Sequence, residues 1–113
     1  MSTTPLFTGE IVICESPYQG NSIQCSEEII PQLQKYLVAA GFEFDQSEIL
    51  IPSTSEGLNW CSFGVSDGDF DLLIDGISKR VVGDGATVES ELIKDIDDQY
   101  MRLNVTNLRL VGD

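Results

Sequence analysis

Acidic residues are spread through this sequence rather than gathered in a terminal tail, so any fold that the chain adopts must carry them on its surface. Nineteen Asp and Glu residues stand against six Lys and Arg residues, which gives a formal net charge of -13 at pH 7. Such a surface repels nucleic acids and anionic membranes and attracts basic protein surfaces. The same composition is also expected if the acidity serves only solubility, and this alternative stays open.

The apolar content is high enough for a folded core despite this charge. The chain has 113 residues, of which 42% are hydrophobic, so we expect one acidic domain over residues 1–113. No stretch approaches the roughly 20 apolar residues that span a bilayer, and the N-terminus lacks the basic and apolar parts of a signal peptide. We therefore expect a soluble, cytoplasmic protein.

Three cysteines and the absence of histidine limit the metal and redox chemistry of the chain. Cys14, Cys25 and Cys61 form no C-x-x-C pair, so neither a zinc site nor a disulfide framework is indicated. We expect Cys14, in an apolar strand, and Cys61, beside Trp60, to pack in the core, and Cys25 to be more exposed. Pairing of two of the three outside the cytosol stays open.

The first part of the chain is predicted to form a strand, a loop and a helix. Residues 10–14 are apolar and β-branched, which favours a strand. Residues 16–25 are rich in Ser, Gly and Asn, which favours a loop. Apolar residues then recur at helical spacing over residues 27–40.

The predicted helix has clear signals at both ends. Ser26 is a suitable N-cap, and Gly41 can adopt the left-handed conformation that ends a helix, with Phe42 folding back. Pro31 lacks a backbone N–H, so the regular part of the helix is expected to begin near it.

The middle of the chain contains two short strand patterns and one ambiguous segment. Residues 49–51 and 58–65 read as strands, hairpin-paired across a turn at residues 53–57. Residues 66–80 fit a helix, with an apolar face at i, i+3, i+4 and i+7 and with Ser66 and Asp69 as a capping box. The alternative is a pair of hairpins that turn at the two Asp-Gly dipeptides of this segment. The helix is favoured.

The last third is predicted to contain a turn, an acidic helix and a strand. Residues 83–85 (Gly-Asp-Gly) form a turn signal. Residues 87–100 place apolar side chains in one arc of a helical wheel and acidic ones in the other. Residues 101–111 alternate as a strand, with a turn or bulge at residues 106–107. Together these elements predict an α+β fold, with a small antiparallel sheet of three to five strands and two or three helices on one side.

The sequence offers little for catalysis, and we do not expect an enzyme. Without histidine, Ser–His and Cys–His nucleophile pairs are impossible. Asp67, Asp69 and Asp71 have the D-x-D-x-D spacing of a calcium loop, but the positions for the required Gly and Glu hold Leu72 and Ser78. No cofactor or metal is therefore predicted.

Two acidic helix faces are the candidate binding site. On the helical interpretation, Asp67, Asp71 and Asp75 recur every four residues, which spaces them about 6 Å apart along the axis. The helix predicted over residues 87–100 presents Glu91, Asp95 and Asp98. Carboxylates at such intervals can take the place of phosphates as partners for Lys and Arg.

These features favour an acidic inhibitor or neutraliser of a basic, nucleic-acid-handling protein, of the kind found among phage counter-defence proteins, immunity proteins and antitoxins. Such a protein would occupy a Lys/Arg-rich surface and would bind neither nucleic acid nor membrane directly. The alternative is an assembly subunit, of a virion or another complex, that self-associates through residues 101–111 as an edge strand. A small-molecule or metal-binding module, or a small enzyme, is the third hypothesis.

Overall fold

The computed structural model describes residues 5–16, 20–44, 53–55, 58–67 and 69–110. A short 3₁₀ helix, Glu27–Ile29, leads directly into α1. The helices are α1 (Ile30–Ala40) and α2 (Phe70–Ser78). The strands are β1 (Phe7–Ser16), β2 (Gly20–Ser26), β3 (Glu43–Phe44), β4 (Ser53–Ser55), β5 (Leu58–Asp67), β6 (Thr87–Asp95) and β7 (Asp98–Leu108).

The strands form one antiparallel sheet in the order β3-β5-β2-β1-β7-β6. β4 pairs with the first residues of β5, whereas β3 pairs with its last residues. The predicted α+β class with an antiparallel sheet is confirmed. The prediction of three to five strands was too low, because segments assigned to a loop, a turn and a third helix also join the sheet. The described residues contain two α-helices.

Strand register separates the two faces of the sheet. Ile11 of β1 lies opposite Cys25 of β2 and Leu103 of β7, and all three side chains are buried. The buried side chains of both helices belong to the same cluster, so α1 and α2 cover this face. The cluster also includes Leu33, Tyr36 and Leu37 of α1 and Phe70, Leu73 and Ile77 of α2. No described helix covers the other face, which we call the open face.

The predicted boundaries of α1 are largely confirmed. Ser26 caps the 3₁₀ helix, its Oγ accepting a hydrogen bond from the Glu28 N–H at 3.3 Å, and Pro31 stands at the start of α1. Gly41 ends α1 with φ of 87°, and the Phe42 N–H donates back to the Leu37 carbonyl at 2.8 Å. This return places Phe42 against the core.

The helical interpretation of residues 66–80 is correct only from residue 70. Asp69 is the N-cap of α2, and its Oδ1 accepts a hydrogen bond from the Leu72 N–H at 3.1 Å. Ser66 is instead part of β5. The predicted capping box was therefore wrong, because strand pairing extends β5 to Asp67 and leaves Asp69 as the first residue able to cap.

Two predicted connecting segments are strands. Residues 20–25, predicted as part of the loop at residues 16–25, belong to β2 in the middle of the sheet, where pairing with β1 and β5 on both sides overrides a composition poor in β-formers. Residues 53–55, predicted as part of a turn, form β4 and pair with β5. The predicted strand at residues 49–51 lies outside the described residues.

The predicted helix at residues 87–100 was wrong. This segment forms β6, a two-residue loop and the start of β7, paired from Thr87–Thr106 to Asp95–Asp98. Its apolar residues satisfy a helical pattern, but β7 also pairs with β1, and that long-range ladder outweighs local periodicity. The Gly83-Asp84-Gly85 turn is confirmed, with positive φ at both glycines.

The predicted edge strand at residues 101–111 is an interior strand. β7 pairs with β1 on one side and β6 on the other, so it is not the edge strand that the assembly hypothesis assumed. The predicted irregularity at residues 106–107 is confirmed. The register to β1 shifts there, Asn107 has φ of 59°, and its N–H donates to the Thr8 Oγ1 at 3.3 Å.

Candidate acidic cleft

Several chain reversals meet at one end of the sheet. Here β1 ends, β2 begins, β5 gives way to α2, and β6 turns into β7. Between them lies a cleft of about 630 Å³. We call it the acidic cleft. Its described lining residues are Glu15, Ser16, Gly20, Asn21, Val65, Asp69, Phe70, Asp71, Asp97 and Gln99.

The four carboxylates of the acidic cleft come from three local structures. Asp69 is anchored as the N-cap of α2, and Asp71 follows in the first turn of that helix. A carboxylate in this position is also favoured by the partial positive charge of a helix N-terminus. Asp97 belongs to the two-residue loop between β6 and β7.

Glu15 is fixed by a contact between neighbouring strands. It lies opposite Gln99 in the β1–β7 ladder, and the Gln99 Nε2 donates a partly buried hydrogen bond to its Oε1 at 2.6 Å. The amide orients the carboxylate without neutralising it. The electrostatic character of the acidic cleft therefore comes from Glu15, Asp69, Asp71 and Asp97 together.

Among the described residues, no Lys or Arg lines the acidic cleft, and none forms an ion pair with its four carboxylates. Lys94 is the basic residue nearest in register, opposite Gln99 on β6, and it makes none of the observed ion pairs. A cleft lined by charges of one sign concentrates the electrostatic field and attracts ions of opposite sign. This arrangement suits cationic side chains of a partner.

The carboxylates are distributed around the acidic cleft rather than gathered at one point. Within the described part of the chain, no three acidic or thiol side chains are arranged to hold a metal ion. The described lining residues also include no cysteine or lysine. The geometry favours several separate contacts with cationic groups over coordination of a single ion.

No family model, curated protein or solved structure matches this chain. Among the described residues, neither helix has the length and apolar character that crossing a membrane would need.

The predicted stripe of three aspartates on one helix does not exist. Asp67 is the last residue of β5, while Asp71 and Asp75 lie on α2. Asp75 is bound within the molecule, since the Lys79 Nζ lies 2.8 Å from its Oδ2. Of the three, Asp71 lines the acidic cleft.

The second predicted group is divided between the open face and the hairpin end. Glu91 lies on β6, where the Arg102 Nη1 is 3.8 Å from its Oε2, and the same arginine approaches Glu10 at 3.0 Å. Asp95 and Asp98 are opposite one another at the end of the β6–β7 hairpin, beside Asp97 of the acidic cleft. Like charges at directly opposed positions disfavour the hairpin.

Sequence reasoning missed Glu15, Asp97 and the site role of Asp69. Glu15 and Asp97 were passed over because their segments were assigned to a strand end and a helix. Asp69 was considered as a capping residue and in the rejected calcium spacing, but not as part of a protein-binding site. Nothing local in the sequence indicates that positions 15, 69–71 and 97 meet, because their proximity depends on the strand order.

The predicted environments of two cysteines are reversed. Cys25 is fully buried between β1 and β5, whereas Cys14 is only partly buried and lies on the open face; neither forms a disulfide bond. Burial, followed by the charge of Asp98, raises the pKa of the Cys14 thiol above its ordinary value of 9.0. A thiol held in its neutral form is a poor nucleophile.

Proposed function

We propose that this protein is a binding protein that docks its acidic cleft onto a Lys/Arg-rich surface of a nucleic-acid-handling protein and so blocks that surface. The observation that carries the proposal is the convergence of Glu15, Asp69, Asp71 and Asp97 on one cleft, whose described lining contains no Lys or Arg. These four residues come from three separate segments of the chain.

The charge contacts within the molecule support this choice of surface. Arg102 and Lys79 are occupied by carboxylates of the open face and of α2, and Arg80 lies over the ring of Tyr36, 5.3 Å from its centroid. The carboxylates of the acidic cleft are not matched in this way. They are available to the cationic groups of a partner.

The acidic cleft suits a surface that ordinarily binds phosphates. Phosphate-binding surfaces present several cations at intervals, and distributed carboxylates can replace phosphates against them. Uncompensated charge on both sides accelerates association and makes affinity depend on salt. This protein would then compete directly with nucleic acid for its partner.

The experiment compares three immobilised proteins in capture from cell lysate, with the captured proteins identified by mass spectrometry. They are the parent protein, the acidic-cleft variant Asp71→Asn/Asp97→Asn and the control Glu27→Gln/Asp84→Asn. Both variants remove two negative charges, but the control residues lie outside the acidic cleft, at the start of the 3₁₀ helix and in the turn before β6. Neither Asp71 nor Asp97 makes a described ion pair, so the fold should be retained.

The expected result is capture of basic nucleic-acid-binding proteins by the parent and the control, and their loss from the acidic-cleft variant. With a captured protein in purified form, affinity should fall steeply between ~0.05 M and ~0.2 M salt. Duplex DNA should displace the parent protein from it. Equal capture by all three immobilised proteins would contradict the proposal, as would simultaneous binding of DNA and this protein.

A further inference from the structure

The tip of the β6–β7 hairpin carries a fully exposed isoleucine at the edge of the acidic cleft. Ile96 is the first of the two loop residues, and its side chain is 99% exposed. The second loop residue, Asp97, lines the acidic cleft. The next residue after the loop, Asp98, is also acidic, so an apolar side chain projects beside two acidic residues.

Exposure alone would not single out this residue, because isolated apolar side chains are common on protein surfaces. Its backbone does so, since Ile96 has φ of 49°. Left-handed φ is unfavourable for a β-branched residue, and hairpin loops place Gly, Asn or Asp at such positions. Asn107, the other described non-glycine residue with positive φ, follows that preference.

Ile96 therefore lowers stability without any packing in return. It strains the turn, and its side chain gains nothing from burial. Strained residues of this kind concentrate at ligand-binding sites, where the surrounding structure holds them in place. The paired strands β6 and β7, with β7 also bound to β1, provide that support here.

We propose that Ile96 is the apolar anchor of the interface, and that the partner surface is an apolar pocket bordered by Lys or Arg side chains. This inference rests on the proposed function and names the partner's surface more closely. The border of the pocket is expected to be basic, because Asp97 and Asp98 lie next to Ile96 and would contact it. An anionic lipid surface is excluded by the same charges.

Binding energy at interfaces concentrates in a few apolar or aromatic anchors that enter pockets, while surrounding charges set orientation and rate. An isoleucine held on a short, paired loop is ordered before it binds. Little conformational entropy is then lost on association. The acidic cleft would steer the partner, and Ile96 would determine how long it stays.

The test uses a displayed library of random cyclic peptides selected against the parent protein, without assuming any natural partner. Synthetic copies of the enriched peptides are then measured against Ile96→Asn and Asp71→Asn/Asp97→Asn. The matched control is Val82→Asn, which removes a β-branched side chain that is 42% exposed, in the segment beside the end of β7.

We expect the enriched peptides to combine Lys or Arg with aliphatic or aromatic residues. Ile96→Asn should weaken their binding at least about tenfold, as expected of an anchor residue, while Val82→Asn leaves it unchanged. The loss caused by Ile96→Asn should persist at high salt. The loss caused by Asp71→Asn/Asp97→Asn should shrink, because charge contacts are screened and apolar ones are not.

The fold of the variants is checked by thermal unfolding. Ile96→Asn and Ile96→Gly should have a Tm equal to or above that of the parent, because both residues tolerate positive φ. A lower Tm for both variants would overturn the assignment of strain. Weaker binding together with undiminished stability is an outcome that a purely structural role for Ile96 does not produce.

The outcomes separate this inference from the proposed function. Basic peptides that lose affinity with Asp71→Asn/Asp97→Asn but bind Ile96→Asn normally would overturn the anchor and leave the acidic cleft as the binding site. Enriched peptides without Lys or Arg, or no enrichment at all, would overturn both.

Discussion

The hydroxyl group of Tyr36 in α1 occupies the space that a side chain at position 76 of α2 would need. Gly76 lies inside a helix, where glycine is destabilising by about 0.5–1 kcal/mol relative to alanine. The missing side chain allows close approach of the two helices that cover the sheet. Tyr36 is buried there, and the Arg80 Cζ lies over its ring, 5.3 Å from the centroid.

Gly76→Ala should therefore destabilise the fold although alanine is the better helix former. Overpacking of a filled site costs about 1–3 kcal/mol, which exceeds the gain in helix propensity. Urea denaturation of the four proteins of a double-mutant cycle with Tyr36→Phe measures the interaction. In the Phe background the alanine should be neutral or stabilising, because the next ring atom, Cζ, lies at ordinary contact distance of 3.4 Å. Equal cost in both backgrounds would contradict this account.

Asp69 has a structural role that can be separated from its charge. Asp69→Ala should lower the free energy of unfolding by about 1 kcal/mol, because the Leu72 N–H loses its acceptor. Asp69→Asn keeps an oxygen in that place and removes one charge from the acidic cleft, so it should be at least as stable as the parent. Chemical denaturation at constant ionic strength gives both values. An alanine variant as stable as the asparagine variant would show that the cap contributes nothing.

The unmatched carboxylates of the acidic cleft should make stability depend on salt. The Debye length falls from about 30 Å at 0.01 M to about 8 Å at 0.15 M, so repulsion between Asp71, Asp97 and their neighbours is screened over that range. The Tm of the parent should rise with added salt. It should rise less for Asp71→Asn/Asp97→Asn, which begins from a higher Tm at low salt. Calorimetry at several NaCl concentrations checks both, and identical salt dependence in the two proteins would argue against repulsion at this site.

Alkaline pH should destabilise the protein through Cys14 and Tyr36. Burial raises the pKa of the Cys14 thiol above 9.0. Burial also raises the pKa of the Tyr36 hydroxyl above 10.0, although the positive charge of Arg80 acts to lower it. The unfolded chain therefore releases these protons first. Their contribution to stability is complete below about pH 9 and is lost as the pH rises through the folded-state pKa values.

The Cys14 part of this effect can be isolated by substitution. Serine at position 14 can replace the thiol in its hydrogen bonds with Ser22 and Tyr100 but does not ionise in this range. Relative to that of Cys14→Ser, the unfolding free energy of the parent should fall as the pH is raised from 8 to ~10.5. A difference that stays constant with pH would mean that the thiol titrates alike in the folded and unfolded chain.

Local signals in the sequence determined several elements of this protein. The apolar stripe of α1, Ser26 before it and Gly41 after it act within a few residues of one another, and the structure has the helix where they indicate. The apolar run at residues 10–14 likewise became part of β1, and Gly83 and Gly85 form the predicted turn. These features need no distant partner.

Tertiary structure alone decided the hairpin at residues 87–108, the strand at residues 20–26 and the acidic cleft. The hairpin turns at Ile96-Asp97, a dipeptide without a turn signal, and its side chains also fit a helix; pairing between β7 and β1 selects the strand. Glu15, Asp69 and Asp97 are far apart in the chain and meet only because of the order of the strands. Periodicity and capping signals in a sequence reflect interactions over a few residues. A cleft depends instead on which distant segments of the chain become neighbours.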